Sequence, residues 1–363
     1  MSLPGKRADM IVHQTEPINA ESAPAPLAAG DLTALDTFYV RSHGPTPSVQ
    51  SGSWRLGVGG LVGRELSLSL ADLRSGFPQR TLIATLQCAG NRRQGFIAVR
   101  EIPGEVPWGP GATGTARWRG VALADVLRAA GLHDGARHLE FLGCDTSPES
   151  DPPQPFGGSI SRQKALAGEV LLAWEMNGEA LPAMHGAPLR VVVPGYIGAR
   201  SVKWLTQITA QAEPSDNFFQ ARAYRLLPAG VDPDAAPTGT GVQLGSVAVN
   251  ADILDPADGA SVIAGRLSVR GYGFAGDDRR IVRVDVSTDG GAVWQQAQLL
   301  DEPSRWSWRR WRADVELPAG PAEIVARAWD SAAGSQPRDA AQLWNPKGYV
   351  NNSWARVRLN VEP

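Results

Sequence analysis

The sequence predicts an α+β fold followed by an antiparallel β-sandwich, and three observations support this prediction. Helical and β-prone segments are mixed in the first 225 residues, without the regular strand–helix alternation of a doubly wound sheet. After residue 243 the apolar pattern changes to a period of two. With 363 residues, 43% of them hydrophobic, the chain can build two cores. We therefore expect an irregular N-terminal arm (1–30), an α+β domain (31–225), a linker (226–242) and a β-sandwich (243–363).

Two segments of the α+β domain carry helix signals. Leu123, Val126 and Leu127 recur at helical spacing, and Gly131 supplies a C-terminal stop. A second, shorter helix is predicted over residues 162–167. The strands predicted around these helices cover residues 37–40, 189–193 and 204–210.

Two further segments are rich in residues that break regular structure. Residues 1–30 are polar and proline-rich, and we expect them to wrap over a surface as an irregular arm. Residues 226–242 belong to a stretch dominated by Pro, Gly, Ala and Asp, which is typical of a boundary between domains. The sequence therefore predicts a linker there.

The C-terminal segment alternates apolar and polar residues, as strands with one buried face do. Val282, Val284 and Val286 alternate with polar neighbours, and a hairpin signal follows at Asp289. A second alternating run covers residues 355–361. Short strands separated by turns are typical of an immunoglobulin-like sandwich.

The C-terminal segment is also rich in tryptophan, which is enriched at protein interfaces. Since two-fold dimers are the commonest oligomers, we expect a homodimer through residues 243–363. The tryptophans stand at positions 294, 306, 308, 311, 329, 344 and 354.

Charge and composition exclude several classes of protein. A formal net charge of -2 offers no basis for nonspecific nucleic-acid binding, which needs many phosphate contacts. No window approaches the ~18 consecutive apolar residues of a transmembrane helix, and the N-terminus has no signal-peptide pattern. With only two cysteines a disulfide framework is excluded. We expect a cytoplasmic protein without nucleic-acid or membrane partners.

The segment TLQCAGNRR (85–93) is the most informative for chemistry. An apolar strand delivers Cys88 to a turn, and Arg92 and Arg93 follow at once. Nearby cations favour the thiolate, which is a soft ligand for a redox metal. A lone cysteine in an apolar run is also often a small buried hydrophobe. Without a neighbouring Cys or His it cannot form a zinc site of protein ligands alone, so any metal here needs ligands from outside the protein.

TLQCAGNRR resembles the cysteine motif of the sulfite oxidase family of molybdopterin oxidoreductases. Other motifs resemble the same family in the same order and extend over most of the chain. They are FYVRSHGP (38–45), PW (107–108), ARWRGV (116–121), HGAPLRVVVPG (185–195), GARSVKWL (198–205) and WNPKGYVNN (344–352). The resemblance implies a haem-free form, with a cofactor-binding catalytic domain at 31–225 and a C-terminal dimerisation domain.

The resemblance also implies which residues hold the molybdenum–molybdopterin cofactor. Cys88 would ligate the metal beside the dithiolene of the pterin, and Asp145 would contact the pterin. Arginine and lysine suit the terminal phosphate of such a cofactor. The other positions that match cofactor contacts are Tyr39, Val40, Arg41, Ser42, His43, His185, Arg190, Ser201, Val202 and Lys203.

The substrate site implied by the resemblance is a tight cationic pocket for sulfite. Arg41, Arg93 and Lys347 would supply the positive charge, and Trp108 would close the wall. Tyr224 matches the active-site tyrosine of the family, and a phenol donor has an electrostatic role at an oxyanion site. A core tyrosine near a domain boundary is the alternative for Tyr224.

Three positions depart from the pattern of the family. Ser42 replaces an asparagine, and Gly109 stands where an aspartate is common. Lys347 stands where sulfite oxidases typically carry arginine. Lysine keeps the charge but lacks the planar fork that grips an oxyanion through two donors. We therefore expect weaker sulfite binding than an arginine would give.

The expected activity is oxidation of sulfite to sulfate, with electrons passed to oxygen, a cytochrome or another carrier. A related enzyme acting on another oxyanion or a sulfoxide, for example in nitrate reduction, stays open. So does a non-catalytic binding protein. A third alternative is a cysteine hydrolase built on Cys88 with one of the histidines at positions 43, 133, 138 or 185.

Overall fold

The structure is a computed structural model that describes residues 3–300 and 302–363. The first two residues of the predicted arm, and residue 301 of the predicted sandwich, lie outside the described residues. The described chain mixes helices with several mainly antiparallel sheets before residue 225, and after residue 243 it builds strands and turns with one short 3-10 helix at Ala340–Gln342. This arrangement agrees with the predicted α+β fold followed by a β-sandwich.

The helices and strands before the predicted sandwich follow one another in this order: β1 Ile11–Thr15, β2 Ile18–Glu21, α1 Pro24–Leu27, β3 Val40–Arg41, β4 Leu56–Gly60, β5 Leu66–Leu68, α2 Leu70–Gly76, β6 Gln79–Gln87, α3 Arg93–Ile97, β7 Thr113–Ala122, α4 Leu123–Ala130, β8 His138–Ser147, β9 Gln154–Ser161, α5 Arg162–Leu166, β10 Leu171–Met176, β11 Glu179–Ala180, β12 Arg190–Val192, β13 Leu205–Gln211, β14 Arg225–Leu226 and β15 Val242–Gln243.

Two larger sheets form the α+β domain. One has the strand order β11-β10-β7-β6, with β12 paired to β10. The other has the order β5-β4-β13-β8-β9, in which only the β4–β13 pair is parallel. Short helical turns at Ala183–His185, Gly198–Arg200 and Phe219–Ala223 connect these sheets to the site described below. The strands β14 and β15 pair across the predicted linker.

Both predicted helices are present. The helix α4 covers Leu123–Ala130 and buries the apolar positions that predicted it. Gly131 ends it in the left-handed conformation, with φ of 70°, which a residue without a side chain adopts most easily. The helix α5 covers Arg162–Leu166, and Ser161 caps it by accepting a hydrogen bond from the Lys164 amide.

The N-terminal arm is not irregular, as the sequence predicted, but forms a hairpin. β1 and β2 pair antiparallel around the Glu16-Pro17 bond, and β2 pairs with β3. The predicted strand over 37–40 is correspondingly reduced to β3, because the amides of Thr37 and Phe38 bond back to the carbonyl of Ala34 in a turn. The hairpin and the turn are both local in sequence, whereas the pairing of β2 with β3 joins Asn19 to Arg41 and has no local signal.

The C-terminal segment forms two facing sheets. The first has the order β16-β18-β22-β21 and the second β17-β24-β23-β19-β20. Their inner faces share one apolar core, to which Val269 and Trp311 contribute from the first sheet and Val284 and Ile324 from the second. The strands are β16 Asn250–Asp255, β17 Ser261–Ile263, β18 Gly265–Phe274, β19 Ile281–Ser287, β20 Gln295–Gln296, β21 Gln298–Leu299, β22 Arg309–Leu317, β23 Gly320–Asp330 and β24 Ala355–Glu362.

The alternation predicted around Val284 holds only in part. The register of β19 against β23 shifts between Ile281 and Arg283. Val282 is therefore 51% exposed, although the pattern placed it with Val284 and Val286. The alternation in β24 is regular, with its apolar residues buried.

The tryptophan-rich run of the sandwich packs within the chain. Trp308 is buried in the core of the α+β domain, and its ring nitrogen donates to the carbonyl of Asp31 at 3.0 Å. Trp306 and Trp311 are buried as well. These three residues therefore cannot serve the dimer contact expected from the sequence. The remaining tryptophans at 294, 329, 344 and 354 are half-buried.

Among the described residues, no helix is long and apolar enough to cross a membrane.

Candidate active site

A cavity with about 630 Å³ of empty space, which includes solvent at its mouth, lies in the α+β domain. Side chains from the β3 segment, the end of β6 and the turns before and after β12 line it. The predicted site residues along it are Tyr39, Val40, Arg41, Ser42, His43, Cys88, Asp145, His185, Arg190, Ser201, Lys203 and Tyr224. Segments distant in sequence thus meet at one place.

Cys88 follows directly after β6 and is buried at the cavity wall. Its Sγ accepts a hydrogen bond from the Gly90 amide at 3.4 Å. Burial raises the pKa of the Cys88 thiol, and the charges of Arg41 and Arg93 oppose this without cancelling it. The expected influence of Arg92 is absent, because its guanidinium turns to Asp252 in the sandwich at 3.2 Å.

The β3 segment is held from the N-terminal hairpin. Asn19 on β2 is fully buried, and its Oδ1 accepts from Arg41 Nη1 at 3.2 Å and from the Ser42 amide at 3.1 Å. Ser42 accepts a hydrogen bond from Lys203 Nζ at 2.8 Å. The hairpin therefore positions two residues of the cavity wall.

Buried cations gather at the other end of the cavity. Arg190 donates to the carbonyls of His185 and Ser201, each at 2.9 Å. Lys203 is half-buried beside the buried Asp145, and desolvation lowers the pKa of Lys203 and raises that of Asp145. Burial also holds the pKa of His185 well below its usual range.

The residues of this end fit a phosphorylated cofactor. Buried cations are costly unless an anion or polar group meets them. Asp145 Oδ1 is buried without a hydrogen-bond partner. A Cβ on Gly198 would lie 2.7 Å from the Tyr39 hydroxyl, so only glycine leaves the cavity wall open there. An unpaired acceptor, basic side chains and open space therefore lie together where a phosphorylated ligand could bind.

A chain of hydrogen bonds leads from the cavity toward solvent. Tyr224 Oη lies 2.7 Å from His43 Nε2, and His43 Nδ1 lies 2.7 Å from Glu149 Oε1. Burial and the charge of Arg41 lower the pKa of His43 to about 4, so the ring is neutral at pH 7. The contact with the Glu149 carboxylate is shorter than the 3.1 Å to Arg41 Nη2, which places the ring proton on Nδ1. Nε2 then accepts the proton of Tyr224.

Four predicted site residues do not line the cavity. Val202 and Trp108 are fully buried, and Trp108 meets His13 edge to face at 5.0 Å. Arg93 and Lys347 lie together beyond the cavity wall, where Glu105 binds both. The pocket that the sequence predicts as cationic therefore contains a carboxylate between two of its cations.

Sequence reasoning missed Asn19, Glu105 and Glu149. Each is a single polar residue in a segment without a chemical motif, and only the tertiary contacts identify it.

The hydrolase alternative needs one of four histidines beside the Cys88 thiol. His133 and His138 lie away from the cavity lining, and the Cys88 thiol has no histidine among its hydrogen-bond partners in the described chain.

Two family models match the chain. Residues 43–219 match the oxidoreductase molybdopterin binding domain. Residues 243–362 match the Mo-co oxidoreductase dimerisation domain. Together these matches span both parts of the described structure.

Individual proteins are similar over almost the whole chain. A sulfite oxidase of Gallus gallus is 42% identical over 97% of this chain and 78% of its own length. A sulfite oxidase of Arabidopsis thaliana is 39% identical over 99% of this chain and 95% of its own. Among solved structures, the sulfane dehydrogenase SoxCD from Paracoccus pantotrophus superposes with a TM-score of 0.80, at 25% identity, over 97% of this chain and 89% of its own.

Proposed function

The chain belongs to the family of molybdopterin-binding oxidoreductases that includes the sulfite oxidases, and from this premise we propose that it oxidises sulfite to sulfate with an external electron acceptor. One observation carries the proposal: the Cys88 thiol opens into the same cavity as the basic side chains of Arg190 and Lys203. A soft ligand and a phosphate-sized cationic end are what a molybdopterin needs.

The residues assigned to the cofactor divide between its two ends. Cys88 would be the ligand of molybdenum, and Asp145, His185, Arg190, Ser201 and Lys203 would hold the pterin and its phosphate. When bound, the cofactor would supply two-electron oxidation with oxygen transfer. Val202 fits the cofactor only through its backbone, since its side chain is in the core.

The protein's share of the reaction is to hold the anion and to remove protons. Arg41 faces the cavity and would orient sulfite, with Arg93 and Lys347 adding positive charge nearby. Oxidation of sulfite by water releases two protons with the two electrons. Tyr224 donates to the neutral His43, which donates to Glu149, and the Glu149 side chain is 40% exposed. This relay would carry the protons to solvent.

The proposal is tested by metal analysis and turnover. Protein from a molybdate-supplied host should contain molybdenum and reduce ferricyanide when sulfite is added. The Cys88→Ser variant should lose this activity, since an alcohol is a poor ligand for a soft metal site. Molybdenum-free protein, or a fully active Cys88→Ser variant, would contradict the proposal.

A related enzyme for a singly charged oxyanion such as nitrate is the second candidate. The observation that favours it is Glu105, which pairs with Arg93 and Lys347 and reduces the positive charge available to a dianion. Turnover with sulfite and ferricyanide, against turnover of nitrate with a reduced viologen dye, separates the two candidates.

The organisation of the chain follows from the same family membership. We assign residues 31–225 to cofactor binding and catalysis, 226–242 to the linker and 243–363 to a dimerisation domain of immunoglobulin-like type. We expect a homodimer, a cytoplasmic location, no haem, and oxygen or a cytochrome as acceptor. Light scattering at micromolar concentration should give twice the mass of the chain.

A further inference from the structure

Each cation assigned to the sulfite pocket already has a carboxylate partner. Arg41 lies 3.7 Å from Glu149. The carboxylate of Glu105 bridges the other two cations, at 3.1 Å from Arg93 and 3.2 Å from Lys347. The three positive charges therefore face two negative ones, so the pocket carries much less positive charge than the three cations alone would give it.

The Arg93 guanidinium cannot turn away from Glu105 to meet a ligand. Its side chain is 3% exposed, and it donates to the carbonyls of Val106 at 2.7 Å and Lys347 at 3.1 Å. These bonds leave the remaining edge of the guanidinium facing Glu105, and neither residue lines the cavity. An anion in the cavity therefore meets the charge of Arg93 together with the opposing charge of Glu105, across the cavity wall.

Glu105 is connected to the assigned catalytic tyrosine through Arg93 and Tyr349. Arg93 lies over the ring of Tyr349 at 5.2 Å, and Tyr349 stacks on Tyr224 at 5.4 Å. Burial raises the pKa of Tyr349, and the charge of Glu105 is the next contributor. The charge of Glu105 is thus felt at the aromatic pair that borders the cavity.

We propose that Glu105 is a specificity-determining residue, which weakens the binding of doubly charged oxyanions relative to singly charged ones. The inference rests on the proposed function, because it concerns the same substrate pocket. Its physical basis is Coulombic: the repulsion by one fixed negative charge scales with the charge of the ligand. Repulsion that weakens a dianion tenfold weakens a monoanion only about threefold at the same place.

The test measures sulfate and nitrate binding to the purified holoenzyme by calorimetry, together with KM for sulfite. The Glu105→Gln variant should bind sulfate at least about tenfold more tightly than wild type and nitrate only about threefold more tightly. Its KM for sulfite should fall with kcat changed less than about threefold, and added salt should shrink the effects. The matched control is Glu101→Gln, an exposed carboxylate on the same loop, which should change neither affinity.

A second variant covers the case in which Glu105→Gln does not fold. In Glu105→Asp the shorter carboxylate cannot span both cations, so sulfate binding should improve by about threefold. Unchanged or weaker sulfate binding in the folded variants, or equal gains for sulfate and nitrate, would overturn the inference. If wild type shows no sulfite turnover, the proposed function fails, while the sulfate-to-nitrate comparison still decides the role of Glu105.

Discussion

His43 is fixed on both ring nitrogens and by aromatic packing. Nδ1 donates to Glu149 and Nε2 accepts from Tyr224. The ring stacks on Phe156 at 4.9 Å and meets Phe219 at a tilt at 4.5 Å, and these two phenylalanines also contact each other. Because the Tyr224 proton is committed to His43, the phenol oxygen turns lone pairs toward the cavity. Glu149 acts on this arrangement through His43, and we therefore class it as a positioning residue.

Replacing Glu149 by glutamine tests the relay at this scale. In Glu149→Gln the side-chain amide can still accept from His43 Nδ1 but cannot take up a proton, so we expect kcat to fall about tenfold or more. The solvent isotope effect on kcat should rise, with molybdenum content unchanged. Glu213→Gln, which removes an exposed carboxylate elsewhere, is the control. Unaltered kcat and isotope effect in Glu149→Gln would refute the relay.

His43 also makes stability depend on pH. Burial and Arg41 lower its pKa to about 4 in the folded chain, against 6.5 as the ordinary value, while Glu149 opposes the shift. A depressed histidine pKa gives stability that is complete above pH 6.5 and is lost as pH falls toward 4, by about 3 kcal/mol. The free energies of unfolding in urea of wild type and His43→Gln should therefore converge as the pH falls from 7 to 4. The free energy of His133→Gln, at an exposed histidine, should follow that of wild type at each pH. A constant difference in unfolding free energy between wild type and His43→Gln from pH 7 to pH 4 would disprove this.

Among the elements, the N-terminal hairpin contributes most directly to the site. β2 pairs with β3 so that Asn19 lies opposite Arg41. Glu21, the last residue of β2, accepts from the amides of Gly109 and Gly111 at 2.7 and 2.9 Å. Gly109 has no side chain of its own, and Glu21 supplies a carboxylate next to its amide. The hairpin thus braces both β3 and the loop after Cys88.

Truncating Asn19 tests this bracing. Asn19→Ala removes the acceptor of Arg41 Nη1 and leaves the buried Ser42 amide without a partner. We expect a loss of about 1–3 kcal/mol of stability, and a raised KM for sulfite, because Arg41 is less well oriented. Asn360→Ala, at an exposed position on β24, is the control. A KM equal to that of wild type would show that the hairpin does not orient Arg41.

The end of α4 gives a second prediction at the scale of elements. Gly131 adopts φ of 70°, and an added Cβ would meet nothing closer than 3.6 Å. Gly131→Ala should therefore cost about 1 kcal/mol through backbone strain alone. Gly135→Ala, on the same loop without a positive φ, should stay within about 0.5 kcal/mol of wild type in urea unfolding. Equal stabilities of the two variants would exclude the strain.

At the scale of the whole molecule, Arg92 joins the α+β domain to the sandwich. Besides its ion pair with Asp252, it donates to the carbonyls of Ser353 at 2.8 Å and Trp354 at 3.0 Å. Trp308 enters the core of the α+β domain from the other side. The two domains therefore share packing immediately behind Cys88.

Removing this connection should weaken the coupling between the domains. Arg92→Ala leaves Asp252 buried without its cation, so we expect a loss of about 3 kcal/mol or more. Calorimetry should then resolve two transitions where wild type gives one. Arg128→Ala, whose side chain is 72% exposed, should melt like wild type. One unshifted transition in Arg92→Ala would contradict the coupling.

Sequence reasoning reached those features that leave a local pattern. Helical spacing predicts α4, alternation predicts β24, and the motifs around Cys88 and His185 indicate the family and contain residues that line one cavity. It could not reach Val282, because a shift in strand register has no signal in the alternation itself. Nor could it reach Glu105 or Glu149, because an isolated acidic residue in a loop is ordinarily solvated.

The sequence alone therefore determined the α+β and β-sandwich architecture, since this depends on local periodicity. Through their resemblance to a family, its motifs also predicted the thiol and the basic side chains that line the cavity. Only the tertiary structure decided the charge balance of the substrate pocket, the direction of the Tyr224 proton and the placing of the N-terminal hairpin. Each of these depends on contacts between residues about 20 to about 240 positions apart, such as Asn19 with Arg41 and Glu105 with Lys347. Such contacts are selected by packing and electrostatics in the folded chain, and no local pattern encodes them.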